Sequence, residues 1–394
     1  MLSRVILTSG TMDDTYDLLA RALAAGGPQS GFDFLAQKFR EEKNYPLLFE
    51  ARLLARRHEL GLPLIQTGTL EDVPEALRPV YERAFIETAR EVGGLFLADG
   101  DIARAWPYYR AIGETAPVAA AIEAVNPPKD SEPREDFDAV VAIAWQERVH
   151  PRKGFELILS HYGTCRAITS FEQYPASTGR DECLHLLVRT LYRELGESLR
   201  HAIARQEGEA SATASVAELM EGRDWLFEGN AYYVDSSHLI SVLRFSLDLE
   251  DEPTLRLAIE LAEYGKRLSP MFEFRVDPPF ENVYIDHCVF LRALVGEDVD
   301  AAVAHFRAKV EASNPEEVGT APAQVLVTLL VRLERYEEAI DVSLRYLSDI
   351  PAAQLGCPTA LQLCQMAGNW ERLRQVARGQ GDLVSFTAAL LSNA

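Results

Sequence analysis

The chain of 394 residues is predicted to be all-α. Three observations carry this reading. Apolar residues recur at steps of three and four through most of the chain, which places them on one face of a helix. Strand signals are few and short, at 4–7, 231–234 and 272–276, and none has a partner run joined to it by a turn. Breakers rich in Pro, Gly and polar residues fall between the periodic stretches, and beyond Ala231 those stretches come in pairs.

Taken in order, helical stripes occupy 14–24, 32–40, 47–58 and 79–98. The segment Asn126-Pro-Pro-Lys-Asp-Ser-Glu-Pro-Arg-Glu135 is rich in proline and charge, so it can neither continue a helix nor bury itself, and it reads as a linker. Pro151 opens a further helix, with His161 near its C-terminal end before Tyr162-Gly163. Leu184, Leu187, Val188, Leu191, Leu195, Leu199 and Ala202 then form one stripe on a helix of roughly six turns. A polar stretch at 206–215 precedes a short helix at 216–221, and stripes follow at 236–249 and 324–333. A length above roughly 250 to 300 residues calls for several domains or a repeat array. The expected division is an N-terminal helical region at 1–125, a linker at 126–135, a middle segment at 136–230 and C-terminal helix pairs at 231–394.

Two of the pairs carry a recognisable spacing. In 86–119, Gly93 stands at a close-packing position, Phe96 and Tyr109 at groove-filling aromatic positions, and Gly100 at an inter-helix turn. Ala105 is the small residue of the second helix, and Pro117 ends the unit. This resembles the 34-residue tetratricopeptide repeat, with departures at Ala89, Val92 and Ile112. A second copy at 320–353 keeps Leu326, Leu330, Ala339 and Pro351 but has Val327 and Ser343 where glycine and an aromatic are usual. Weaker pairs at 239–270 and 283–315 keep Ala258 and Pro270, and Ala302, Phe306 and Pro315 with Gly296 at the turn. A last pair around 361–378 turns at Gly368-Asn369. The resemblance implies a stacked α-solenoid with a concave groove, because one helix pair cannot bury both of its faces alone. It implies no reaction, since such repeats mostly act as protein-binding scaffolds.

Composition bounds the partners. With 39 basic and 60 acidic residues the formal charge is −21, which repels a phosphate backbone, so nucleic acid and anionic membrane surfaces are excluded as principal partners. Residues 205–300 hold 20 acidic and 8 basic residues, a net of −12, either a solvated acidic surface or a docking face for a cationic partner. No run approaches the roughly 18 apolar residues of a membrane span, and the N-terminus lacks a signal-peptide core. Five cysteines with no Cys-x-x-Cys pair read as reduced thiols, so a cytoplasmic location is expected.

The candidate site residues are His150, His161, His185, Asp235, His238, Asp286 and His287. Tyr233-Val-Asp235 ahead of His238, and Tyr284-Ile-Asp286-His287, repeat one order of tyrosine, apolar residue, aspartate and histidine. Each aspartate there can serve as an N-cap with its histidine in the first helical turn, and successive repeats set such turns along one edge. The residues fit two roles: converging groups of a pocket, or capped helices with incidental histidines. Glu182-x-x-His185 puts a carboxylate and an imidazole on one helix face, but a metal needs three or four converging ligands and no second such pair occurs. No metal site is assigned. Phosphate-loop, dinucleotide, zincin and nucleophile-elbow motifs are absent, so no cofactor is called for. Cys165 reads as a buried structural thiol in preference to a nucleophile beside a histidine, and the aromatic set of Trp225, Phe227, Tyr232, Tyr233, Phe272, Phe274, Phe280 and Tyr284 as core, or as a groove lining if exposed.

Two functions follow as expectations. The first is a helical-repeat protein that binds a protein or peptide partner. The second is an enzyme or small-ligand binder with a His/Asp pocket between the middle segment and the C-terminal repeats. Neither oligomeric state nor a particular partner is legible.

Overall fold

A computed structural model describes residues 12–65, 73–128, 135–175, 178–272 and 276–392. Among the described residues there is no strand, and the fold is all-α with consecutive helices packed on one another. The stretch 231–234 is irregular, 4–7 lies outside the described residues, and so does most of 272–276. Two compact units divide the chain, Met1–His161 and Tyr162–Ala394. Most of the proline-rich segment at 126–135 lies outside the described residues.

The first unit holds α1 (Met12–Glu41), α2 (Tyr45–Glu59), α3 (Arg78–Ala98), α4 (Ile102–Ala111), α5 (Ala116–Glu123), α6 (Glu135–Trp145) and the start of α7 (Pro151–Glu172). The stripes expected at 14–24 and 32–40 both belong to α1, whose helical geometry breaks at Gly27 before Pro28 restarts it. Between α3 and α4 the approach is close. A Cβ on Gly93 would fall 2.7 Å from the ring of Tyr109, so glycine here is what lets the aromatic lie against the helix backbone. Val92, Phe96, Ala105 and Tyr109 join Leu48, Val118 and Ile122 in the core of this unit. Pro117 does not close α4 but stands in the first turn of α5, where a missing N–H costs nothing.

The helix opened by Pro151 breaks at Gly163, as the sequence predicts, so α7 is two helical segments under one range. Gly163 takes φ 80°, and helical geometry resumes after it as far as Glu172, with Ala167, Ile168 and Phe171 buried.

The second unit continues with α8 (Arg180–Gln206), α9 (Val216–Met220), α10 (Ser236–Ser246), α11 (Glu252–Gly265), α12 (Val283–Leu294), α13 (Val299–Ala312) and α14 (Pro315–Val318). It ends with α15 (Ala321–Arg332), α16 (Tyr336–Tyr346), α17 (Ala360–Met366), α18 (Trp370–Gln380) and α19 (Leu383–Leu391). All seven stripe residues of α8 are buried. The Ser215 side chain and Glu218 close a reciprocal capping box on α9. The expected pairs are present as α10–α11, α12–α13, α15–α16 and α17–α18, and each packs on the next. Gly296 and Gly368 turn two of them with positive φ.

A single core runs from α12 to α19 through Phe290, Phe306, Leu326, Leu330, Ile340 and Leu363, all but closed to solvent. Each such side chain contributes about 1.5–3 kcal/mol by leaving water, against the entropy of ordering it. Linear repeat arrays make contact with nearest neighbours. Here α15 also reaches back past the α12–α13 pair, because Arg332 donates to the carbonyls of Leu247 and Leu249 just beyond α10.

Candidate functional site

The candidate residues fall in both units. His150 Nε2 lies 2.7 Å from the Glu123 carboxylate, which Arg152 also contacts, and His161 sets its ring edge-on to Phe137 at 4.8 Å. Both belong to the first unit. The other five belong to the second.

His185 lines a cavity of about 340 Å³ together with Asp181, Asp248, Glu250 and Asp251. Asp251 is the N-cap of α11, and its carboxylate accepts from the Thr254 N–H and hydroxyl, which hold it below the usual carboxylate range. Burial pushes the Asp248 carboxyl up.

The repeated Tyr-x-Asp order separates into two different structures. Asp235 is the N-cap of α10, as the sequence predicts, accepting from Ser237 N–H at 2.8 Å and from His238 N–H at 3.4 Å. The Ser237 hydroxyl bond is the main cause that lowers its pKa. Asp286 does not cap α12. Asn282 occupies that position, one turn earlier, so Asp286 and His287 lie inside the helix. The preceding Asn282 is the signal that could have placed this boundary, since Asn is a preferred cap residue.

Inside α12, Asp286 is fully buried and accepts three donors or near-donors. The Asn282 N–H lies at 2.9 Å, Lys309 Nζ at 3.0 Å and His305 Nε2 at 2.7 Å. Lys309 also reaches Glu281. Burial works to raise the Glu281 carboxyl, and the Lys309 ammonium with local backbone bonds outweighs it, so Glu281 titrates below the usual range. A carboxylate with no exposure is tolerable only with such compensation, because desolvating a lone charge costs several kcal/mol. His305 and Lys309 stand four residues apart on α13, hence on one helix face, and both close on the same α12 carboxylate. The cluster pins α12 to α13, and the carboxylate fixes the orientation of a one-third-exposed imidazole.

His287 points elsewhere. Its Nδ1 lies 2.6 Å from the Val283 carbonyl one turn back, and its ring stacks on Phe280 with centroids 4.3 Å apart. Its Nε2 is buried without a hydrogen-bond partner. Burial pushes its pKa down to about 4, with the Val283 carbonyl and Asp286 opposing. The ring is therefore neutral at pH 7, and its bond to Val283 makes Nδ1 the protonated nitrogen. Next to it, burial and then Glu263 push the Cys288 thiol up to about 11, which favours the thiol over the thiolate at neutral pH. All five cysteines are free thiols, and Cys165 is exposed rather than buried as the sequence suggests.

Among the described residues, no three His, Cys, Asp or Glu side chains gather in a way that could hold a metal ion. The aromatic set divides: Phe280 and Tyr284 are buried, Trp225 donates to Glu207, and Tyr232 is exposed against Phe272. Phe274 lies outside the described residues. No helix among them is long and apolar enough to cross a membrane.

A further concavity lies elsewhere in the second unit. An open groove of about 920 Å³ runs between α16 and α18, lined by Leu344, Ser348, Asn369, Arg372, Gln375 and Val376. Arg372 is held by Glu337 and Asp341, and Asn369 caps α18 while donating to Glu337, so this wall is braced.

Comparison with protein-family models, curated proteins and solved structures returns no match. The functional reading therefore rests on the residues and geometry of this chain.

Proposed function

We propose that the chain is a tetratricopeptide-like helical-repeat scaffold that binds a protein or peptide partner in the groove between α16 and α18. The observation that carries this reading is the groove itself, open and about 920 Å³ in volume, between the second helices of two successive pairs. Its lining suits an extended peptide. Ser348 and Gln375 offer hydroxyl and amide groups that pair with backbone N–H and C=O, while the half-buried Leu344 offers apolar contact for a side chain. The chain's charge of −21 disfavours nucleic acid and anionic membranes as partners, and the unpaired cysteines favour a reducing compartment such as the cytoplasm.

The test is a display selection of random peptides on the immobilised protein, repeated on a Ser348→Arg/Gln375→Arg variant. Both positions are exposed, so the substitutions fill the groove and leave the core alone. Peptides selected on the wild type are expected to bind the variant at least about tenfold more weakly, a difference of about 1.4 kcal/mol. Failure to select any peptide, or equal binding by both proteins, overturns the assignment of this groove.

A further inference from the structure

The groove between α16 and α18 has two unlike ends. Arg372, near the start of α18, reaches Glu337 and Asp341 in the first two turns of α16, so the two helices run side by side in the same direction. At the other end the lining passes to Ser348 and Asp349, just beyond the last residue of α16, and to Gly379 and Gln380, the last two of α18. Both C-termini therefore border one end. Each helix C-terminus carries roughly half a negative charge, on carbonyls that have no intrahelical partner.

The charged side chains of the lining add to this polarity. Arg372 is engaged by Glu337 and Asp341, and Glu371 by Arg374 and Gln375, so neither offers a free charge to the groove. Asp349 also lines it, is exposed, and has no ion pair or hydrogen bond among the described residues. Arg345 and Arg378 stand in the last turns of the two helices but do not line the groove, and Arg345 lies over the ring of Tyr346. The open charge of the groove is thus one carboxylate, set where both helix dipoles reinforce it. The wall beside it is bare, since a Cβ on Gly379 would meet nothing within 4 Å.

Resting on the assignment of this groove as the binding site, we propose that the peptide it takes carries a lysine or arginine whose cationic head pairs with Asp349. The methylene stem of that residue lies along Gly379 and the half-buried Leu344. An acidic side chain at the same place meets a carboxylate and two helix C-termini, so the groove discriminates by repulsion as well as by attraction. An exposed pair of this kind is worth about threefold to fivefold in affinity, about 0.7–1 kcal/mol, so it selects among peptides and leaves most of the affinity to the rest of the groove.

The experiment repeats the display selection on an Asp349→Lys variant of the full chain. One peptide selected on the wild type is then synthesised and titrated by fluorescence anisotropy against the wild type and Asp349→Asn. The Asp349 side chain holds nothing in place, so both variants fold, and an unchanged circular dichroism melt verifies that. The expected result is Lys or Arg enriched at one position of the peptides selected on the wild type, with that preference lost on Asp349→Lys. Replacing the basic residue by Gln should weaken binding about threefold to fivefold, Asp349→Asn should do the same, and the two changes together should cost little more than either alone. A chain of charge −21 attracts basic peptides in general, so this coupling is the deciding reading. Basic enrichment without the coupling overturns the proposal, because the cation then pairs elsewhere. Peptides that lose binding to Ser348→Arg/Gln375→Arg, yet show no basic preference and bind Asp349→Asn unchanged, overturn it and leave the groove assignment standing. Failure to select any peptide, or equal binding by Ser348→Arg/Gln375→Arg, removes the groove and this proposal with it.

Discussion

His287 makes the stability of the second unit depend on pH in a way that one substitution should expose. Its ring is 2% exposed, stacked on Phe280, with Nε2 buried and unpaired, and burial takes its pKa from the ordinary 6.5 down to about 4. Between those two values the unfolded chain holds a proton on this ring that the folded chain does not. Stability is therefore lost as pH falls from 6.5 toward 4, and the loss levels off below that. At 1.36 kcal/mol per pH unit, the interval amounts to about 3 kcal/mol. In His287→Leu this dependence disappears. At pH 7 the variant should lie within about 1 kcal/mol of the wild type, because the lost Nδ1–H bond is offset by removal of an unpaired buried nitrogen. Near pH 4 it should be the more stable protein by about 3 kcal/mol. Urea unfolding of both proteins at pH 7, 6, 5 and 4 reads the difference, in which every other titrating group cancels. The wild-type imidazole can be followed directly by nuclear magnetic resonance, using the variant to identify its signal. A ring that titrates near 6.5, or two proteins whose stabilities fall in parallel, would refute the reasoning.

Three further outcomes follow from the packing. Asp286→Ala should cost about 3–5 kcal/mol in urea unfolding at pH 7, because it strands Lys309 and His305 beside an apolar core, and Asp286→Leu/Lys309→Met should recover much of that loss. Gly93→Ala should lower the thermal midpoint by driving a methyl into the Tyr109 ring, at about 1–3 kcal/mol, and Gly93→Ala/Tyr109→Leu should recover part of it. In native alkylation at pH 8 followed by mass spectrometry, Cys165 should be modified well before Cys288, whose thiol burial holds near 11; equal rates would contradict that environment.

The architecture was legible because its determinants are local. The α8 stripe from Leu184 to Ala202 needs no tertiary information, and neither do turns such as Gly296 and Gly368, whose positive φ is a property of glycine itself. Gly93 against Tyr109 was readable for a related reason: a small residue and an aromatic at fixed spacing describe a close helix pair before any partner is known. Termination at Gly163 was legible for the same reason, since its positive φ breaks the helix opened at Pro151; the helical stretch that resumes as far as Glu172, with Ala167, Ile168 and Phe171 buried, carried no such local mark.

The site was legible by residue type and not by partner. The order Tyr-x-Asp-His drew attention to Asp235 and Asp286 alike, but their fates depend on which residue starts the helix. Asp235 has Val234 before it and becomes the cap, while Asp286 has Asn282 one turn earlier and is carried into the core. Once there it cannot stand alone, and the residues that answer it, His305 and Lys309, come from the next helix. Nothing in their own sequence marks them. They are two polar positions bordering Ala302 and Phe306, indistinguishable from a solvated helix edge until the rotation of α13 against α12 is known. Helix rotation is set by which apolar residues of the two helices interdigitate, a property of the pair rather than of either segment. A sequence reading can therefore find a buried charge only when its own helix betrays it, and it meets the counter-charge only after the core has been packed.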